Sequence, residues 1–146
     1  MAIKLFTIGF TKKSAERFFD LLQKAGVRKV VDTRLQRTSQ LSGFAKEQDL
    51  PYLLHELCGA EYEKEALLAP TGEILNAYKT KQIDWNAYES RFTQLLKERE
   101  IEKRLSPDKL DHACLLCSED KPHHCHRRLV AEYLKDKWGN LEIEHL

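Results

Sequence analysis

Two apolar runs, residues 3–8 and residues 27–33, bracket one amphipathic segment, and the links between the three are short. Phe18, Leu21, Leu22 and Ala25 recur at helical spacing. Ser14 stands where a helix needs an N-cap, and Gly26 stands where it stops. The doublet Val30-Val31 breaks polar–apolar alternation, as expected of a strand covered on both faces. Strand, helix and strand joined this closely predict a right-handed crossover in a parallel sheet.

The rest of the chain continues the pattern. Asp49 and Pro51 open a helix carrying Leu50, Leu53, Leu54 and Leu57, which Gly59 stops; a weak strand follows at residues 60–63. Pro70-Thr71 starts a helix through Ile74, Leu75 and Tyr78. Asp84 caps a longer one through Tyr88, Phe92, Leu95, Leu96 and Ile101, ended by Ser106-Pro107. Residues 112–117 predict a fourth strand, Leu129, Val130, Tyr133 and Leu134 a further helix, and residues 141–145 a last strand. The expectation is a single α/β domain over residues 1–146, with a mostly parallel sheet of about five short strands flanked by about five helices.

Charge excludes little by itself. Lysine and arginine number 24 against 23 acidic residues, so nothing global directs the chain to nucleic acid or to a membrane surface. Met1-Ala2-Ile3-Lys4 turns polar too soon for a signal peptide, and no apolar run reaches spanning length; no membrane partner is expected. With only four cysteines, reduced thiols and a cytoplasmic location are expected rather than a disulfide framework. Nothing in the residues signals an oligomeric state.

The chemistry gathers in residues 114–128. Cys114, Cys117, Glu119, His123, His124, Cys125, His126, Arg127 and Arg128 fall at the end of the fourth strand, in the loop after it and at the next helix start. In an open parallel sheet, ligands bind outside the carboxyl ends of the strands. Gly9, Asp32, Arg34, Cys117 and Glu119 are all expected there. Cys114 and Cys117 resemble a Cys-x-x-Cys pair, but an odd spacing on a strand sends them to opposite faces, which leaves Cys114 in the core. Cys58 reads as a small core residue as well. Cys125, at a helix start beside His126 and Arg127, has the setting that favours a thiolate.

Zinc at Cys117, His123, Cys125 and His126 is the weaker reading. Structural zinc usually draws two ligand pairs from separate segments, and successive residues of a helix do not converge on one ion. No metal is therefore expected. No cofactor is expected either: Thr7-Ile8-Gly9-Phe10-Thr11 has a single glycine and is no dinucleotide fingerprint.

These residues resemble the uncharacterised family known as domain of unknown function 488, nearly end to end. The resemblance rests on Thr7-Ile8-Gly9, Val31-Asp32-Thr33-Arg34, Gly43-Phe44 and Leu68-Ala69-Pro70-Thr71. Its most specific part is Leu116-Cys117-Ser118-Glu119 with Cys125-His126-Arg127-Arg128. Relatives often carry histidine where this chain has Phe10. The resemblance implies a small α/β domain with its polar signature on one edge, and implies no reaction.

The functional expectation is an enzyme acting on a small anionic substrate, a nucleotide or nucleic-acid component, by hydrolytic or transfer chemistry. Cys117, Glu119, Cys125 and His126 are the expected catalytic groups. Gly9, Asp32, Arg34, Phe44 and Arg127 are the expected substrate-binding groups. The alternative is a non-catalytic module for nucleic acid or a phosphoryl ligand, with Lys12, Lys13, Arg34, Arg37, Arg127 and Arg128 as a basic rim.

Overall fold

In the computed structural model, which describes residues 2–35, 43–46, 48–118 and 125–146, the apolar runs become five strands. These are β1 (Ile3–Gly9), β2 (Lys29–Asp32), β3 (Glu61–Lys64), β4 (Ala113–Cys117) and β5 (Leu141–His145). They form one sheet in the order β3-β2-β4-β1-β5, and every ladder is parallel. The amphipathic segments become α1 (Ala15–Ala25), α2 (Leu50–Cys58), α3 (Gly72–Lys79), α4 (Trp85–Arg99), α5 (Ile101–Arg104), α6 (Pro107–Leu110) and α7 (His126–Trp138). Two short 3₁₀ turns, Gly43–Ala45 and Ala66–Leu68, lie in the connections. Among the described residues no helix is long and apolar enough to cross a membrane.

Among the described residues seven helices replace the expected five or so because of two four-residue pieces, α5 and α6. The pattern that carries one helix through Ile101 is interrupted at Glu100, whose φ of 51° is left-handed. Ile101 is still fully buried, so apolar spacing survives across a backbone break that spacing does not register. Elsewhere local chemistry acts as expected. Ser14 Oγ accepts from the Arg17 amide at 3.1 Å to start α1, and Gly26 at φ 75° ends it with its amide on the Gln23 and Leu22 carbonyls. Thr71 and Asp84 cap α3 and α4 the same way.

The sheet is buried on both faces by separate clusters. Leu5, Val31, Ala113, Leu115 and Leu141 pack against α4 and α7 through Phe92, Leu96, Val130 and Leu134. Phe6, Ile8, Val30, Cys114 and Leu116 pack on the other face against α1 and α2 through Phe18, Leu22, Leu50 and Leu54. Side chains alternate along each strand, so β4 feeds both clusters and all five of its residues are buried.

This arrangement sets the geometry of the carboxyl edge of the sheet. β1 and β4 are neighbours, yet β1 leads into α1 on one face and β4 leads into α7 on the other. The connections part at their carboxyl ends, and that is the topological switch point where doubly wound sheets open a crevice.

Two-sided burial makes a direct prediction for β4. Leu115→Ala and Leu116→Ala should each lower the free energy of urea unfolding by about 2–5 kcal/mol, since each empties a different packed cluster. Glu61→Ala on the exposed part of β3 should change it by no more than about 0.5 kcal/mol. A Leu116→Ala protein as stable as Glu61→Ala would contradict the core on the α1 side.

Candidate functional site

Parallel register brings the strand ends level. Gly9 pairs with Cys117, and Asp32 with Leu116, so the last residues of β1, β2 and β4 reach the same edge. The two diverging loops are stitched together by the Thr11 amide donating to the Ser118 carbonyl at 3.1 Å.

Alternation then sorts the polar residues by face. On β1, Thr7 lies two residues beyond Leu5, on the α7 side; on β4, Cys117 lies two beyond Leu115, on the same side. The first turn of α7 supplies Arg127, the largest of the fully buried side chains, to meet them. Its Nε–H donates to Thr7 Oγ1 at 3.2 Å and its Nη1–H to Cys117 Sγ at 3.2 Å. Thr7 Oγ1 is also hydrogen-bonded to Nδ1 of His145 at the end of β5.

Cys117 and Cys125, eight residues apart, are joined as a disulfide. This corrects the expectation that all four thiols are reduced. Strand alternation does disqualify the Cys114/Cys117 spacing. Cys117 and Cys125, expected to face one another across the strand end and the helix start, meet as a disulfide rather than as free thiols. Cys125 is the N-cap residue of α7 and its side chain makes no capping hydrogen bond. Cys114 faces the α1 side in the core, where burial pushes its thiol pKa far up, and Cys58 is partly exposed rather than core, with burial raising its thiol pKa.

His126 is held rather than free. Its Nε2 lies 2.7 Å from the Thr33 carbonyl and 3.0 Å from Thr33 Oγ1, while Thr33 Oγ1 itself donates to the Leu116 carbonyl at 2.7 Å. A carbonyl only accepts, so Nε2 carries the proton and the neutral ring leaves Nδ1 bare. The Phe92 ring packs edge-on at 5.6 Å. Desolvation lowers the ring's pKa to about 4, with the Arg127 charge adding to the drop and the Thr33 bond and Asp32 opposing it.

Asp32 and Arg34 form a second, separate group. Asp32 follows Val31 and therefore points to the α1 side. Its Oδ1 accepts from the Arg34 backbone amide (3.1 Å) and Nε (2.9 Å), and its Oδ2 accepts from Arg34 Nη2 (2.7 Å) and from the Tyr62 hydroxyl. Those bonds take up the carboxylate's acceptor positions. The Arg34 guanidinium lies over the Phe10 ring at 5.4 Å, and both members of the ion pair are buried. Phe44 packs on Phe18 and Phe19 of α1, with ring centroids at 5.3 and 5.8 Å.

Of the expected site residues, the structure brings Cys117, Cys125, His126 and Arg127 together on the α7 side of the switch point. It sets Asp32 and Arg34 on the opposite side of the same edge, with Gly9 beside Cys117, and leaves Phe44 among the aromatic residues of α1. Glu119, His123, His124 and Arg37 lie outside the described residues. Among the described residues no three of His, Cys, Asp or Glu are grouped as metal ligands. Thr7, Thr33 and Tyr62 are not among the site residues expected from the sequence, although Thr7 and Thr33 lie in the motifs that carry the resemblance. For Thr7 the signal was available, as a hydroxyl inside an otherwise apolar strand that has to find a partner.

Residues 14–134 match the family model described as Domain of unknown function DUF488. No curated protein and no solved structure matches the chain.

The held, neutral histidine has a consequence for acid stability. Unfolded, His126 takes a proton near pH 6.5; folded, it resists until about pH 4. Stability is therefore full above pH 6.5 and falls as pH drops toward 4, because the unfolded chain binds the extra proton. The unfolding free energy of the wild type relative to His126→Gln should fall by up to about 3 kcal/mol between pH 7 and pH 4. Parallel pH profiles for the two proteins would show that the ring is not held neutral.

Proposed function

This chain belongs to the family described as Domain of unknown function DUF488, and from that premise we propose that it is a thiol-dependent enzyme acting on a small anionic substrate. The substrate class is a nucleotide or a nucleic-acid component, and the reaction is hydrolytic or transferring, at the carboxyl edge of β1 and β4.

The observation that supports this reading is the 3.2 Å approach of Arg127 Nη1 to Cys117 Sγ, both buried. With Cys117 reduced, a guanidinium fixed against the sulfur favours the thiolate, which is the nucleophilic form. Cys117 is then the attacking group. The amides of the first turn of α7 offer the anion a positive helix end, since Cys125 does not cap them with its side chain. Proton transfer belongs to Glu119. His126, with Nε2–H committed to Thr33 and a low basicity, positions the helix start instead. Asp32 and Arg34 brace the loop leaving β2. A cytoplasmic location fits the scheme, because that compartment keeps such thiols reduced.

The alternative, a non-catalytic module for nucleic acid or a phosphoryl ligand, is less well supported. Two of its basic residues, Arg34 and Arg127, are buried, and Arg128 pairs with Glu132 at 3.1 Å.

Alkylation of the reduced protein tests the proposal. Iodoacetate, an anion, should modify Cys117 about tenfold or more faster than it modifies the partly exposed Cys58. Its advantage over neutral iodoacetamide should exceed that seen at Cys58 and should disappear in Arg127→Gln. If Cys117 reacts only after unfolding, or if both reagents prefer Cys58, the proposal fails.

A further inference from the structure

The structure holds a second cysteine against the proposed nucleophile, and the sulfurs of Cys117 and Cys125 meet although they lie eight positions apart in the chain. Strand alternation turns Cys117 toward α7, and Cys125 is the residue that begins α7. The meeting is therefore a product of the topology and not of a short sequence motif. The other two cysteines are kept out of it: Cys114 points to the opposite face of the sheet, and Cys58 ends α2 with its thiol on the Phe19 carbonyl at 3.5 Å. Cys117 and Cys125 are both buried, as two sulfurs packed between a strand end and a helix start would be.

We propose that Cys117 and Cys125 form a reversible oxidation site for hydrogen peroxide or another small hydroperoxide, with Cys117 as the reacting thiol and Cys125 as the resolving one. The Cys117 thiolate attacks the terminal peroxide oxygen, the O–O bond breaks, and the departing alkoxide or hydroxide takes up a proton and leaves as an alcohol or water. Cys117 is now a sulfenic acid. The Cys125 sulfur attacks Cys117 Sγ, its own proton goes to the displaced hydroxide, and water leaves as the S–S bond forms. Two electrons have passed from the two sulfurs to the peroxide. Thiol exchange with a small dithiol reverses the change. Arg127, already on Cys117 Sγ, favours the thiolate needed for the first attack. The disulfide removes the nucleophile, so the same pair switches off the chemistry proposed above. The switch rests on that reading of Cys117; the oxidation itself needs only the thiolate.

The test uses the full chain, reduced and freed of reductant, with one equivalent of hydrogen peroxide followed by N-ethylmaleimide. Digestion after glutamate cuts at Glu119 and separates Cys117 from Cys125, so a bond between them appears as a linked peptide pair. The expected result is that linked pair, reversed by dithiothreitol without unfolding, with Cys58 and Cys114 left as thiols. In Cys125→Ser, dimedone should capture a sulfenic acid at Cys117 that the wild type does not accumulate. Oxidation of Cys58 ahead of Cys117, absence of the linked pair, or a pair that dithiothreitol reduces only after unfolding would each overturn the proposal. Iodoacetate reactivity read on the same reduced sample separates the two ideas. Fast alkylation of Cys117 without peroxide-driven linkage removes the switch and keeps the nucleophile, whereas loss of both removes both.

Discussion

A guanidinium sealed inside a protein must be matched by acceptors or negative charge, and Arg127 is sealed completely. Taking such an ion from water costs several kcal/mol even after the surroundings relax. Its place in the first turn of α7 adds to the demand, because the positive end of a helix dipole disfavours a cation there. Thr7 Oγ1 and Cys117 Sγ lie within hydrogen-bonding distance of it, from β1 and β4 respectively. One side chain thus ties the start of α7 to two neighbouring strands at the point where their connections diverge.

The rest of the site follows from that anchor and from strand alternation. With α7 pinned by Arg127, Cys125 falls against Cys117 and His126 falls onto Thr33. Thr33 bonds the Leu116 carbonyl through both its amide and its hydroxyl, so β2 is fastened to β4 where His126 docks. On the opposite face, Asp32 is saturated by Arg34 and Tyr62, and this buried ion pair stiffens the exit from β2. The two groups share an edge but differ in content: the α7 side holds the two cysteines beside Arg127, and the α1 side holds the Asp32–Arg34 brace.

Much of this was legible in the sequence because it depends on local rules. Ser14, Thr71 and Asp84 announce helix starts through side-chain oxygens that bond nearby amides, and Val30-Val31 announces a strand covered twice. The odd Cys114/Cys117 spacing identifies the core cysteine from strand geometry alone. What was hidden depends on contacts between distant segments. The left-handed turn at Glu100 leaves the apolar spacing of Ile101 intact, so no pattern marks it. The Arg127–Thr7 bond spans 120 residues and the Thr33–His126 bond 93, and neither has a local signature. Arg127 reads as an anion binder from its type; only the packing of α7 on β1 and β4 reveals an internal charge facing a sulfur.

The proposed chemistry requires that, once the disulfide is reduced, the Cys117 sulfur answers the buried charge of Arg127 as a thiolate. Ultraviolet difference absorbance of the reduced protein, titrated against Cys117→Ser, measures this directly. The expected result is a thiolate already present at neutral pH in the wild type, missing in Cys117→Ser and greatly reduced in Arg127→Gln. A wild-type protein whose thiolate absorbance first rises in the ordinary cysteine range, near a pH of about 8.5, would contradict it.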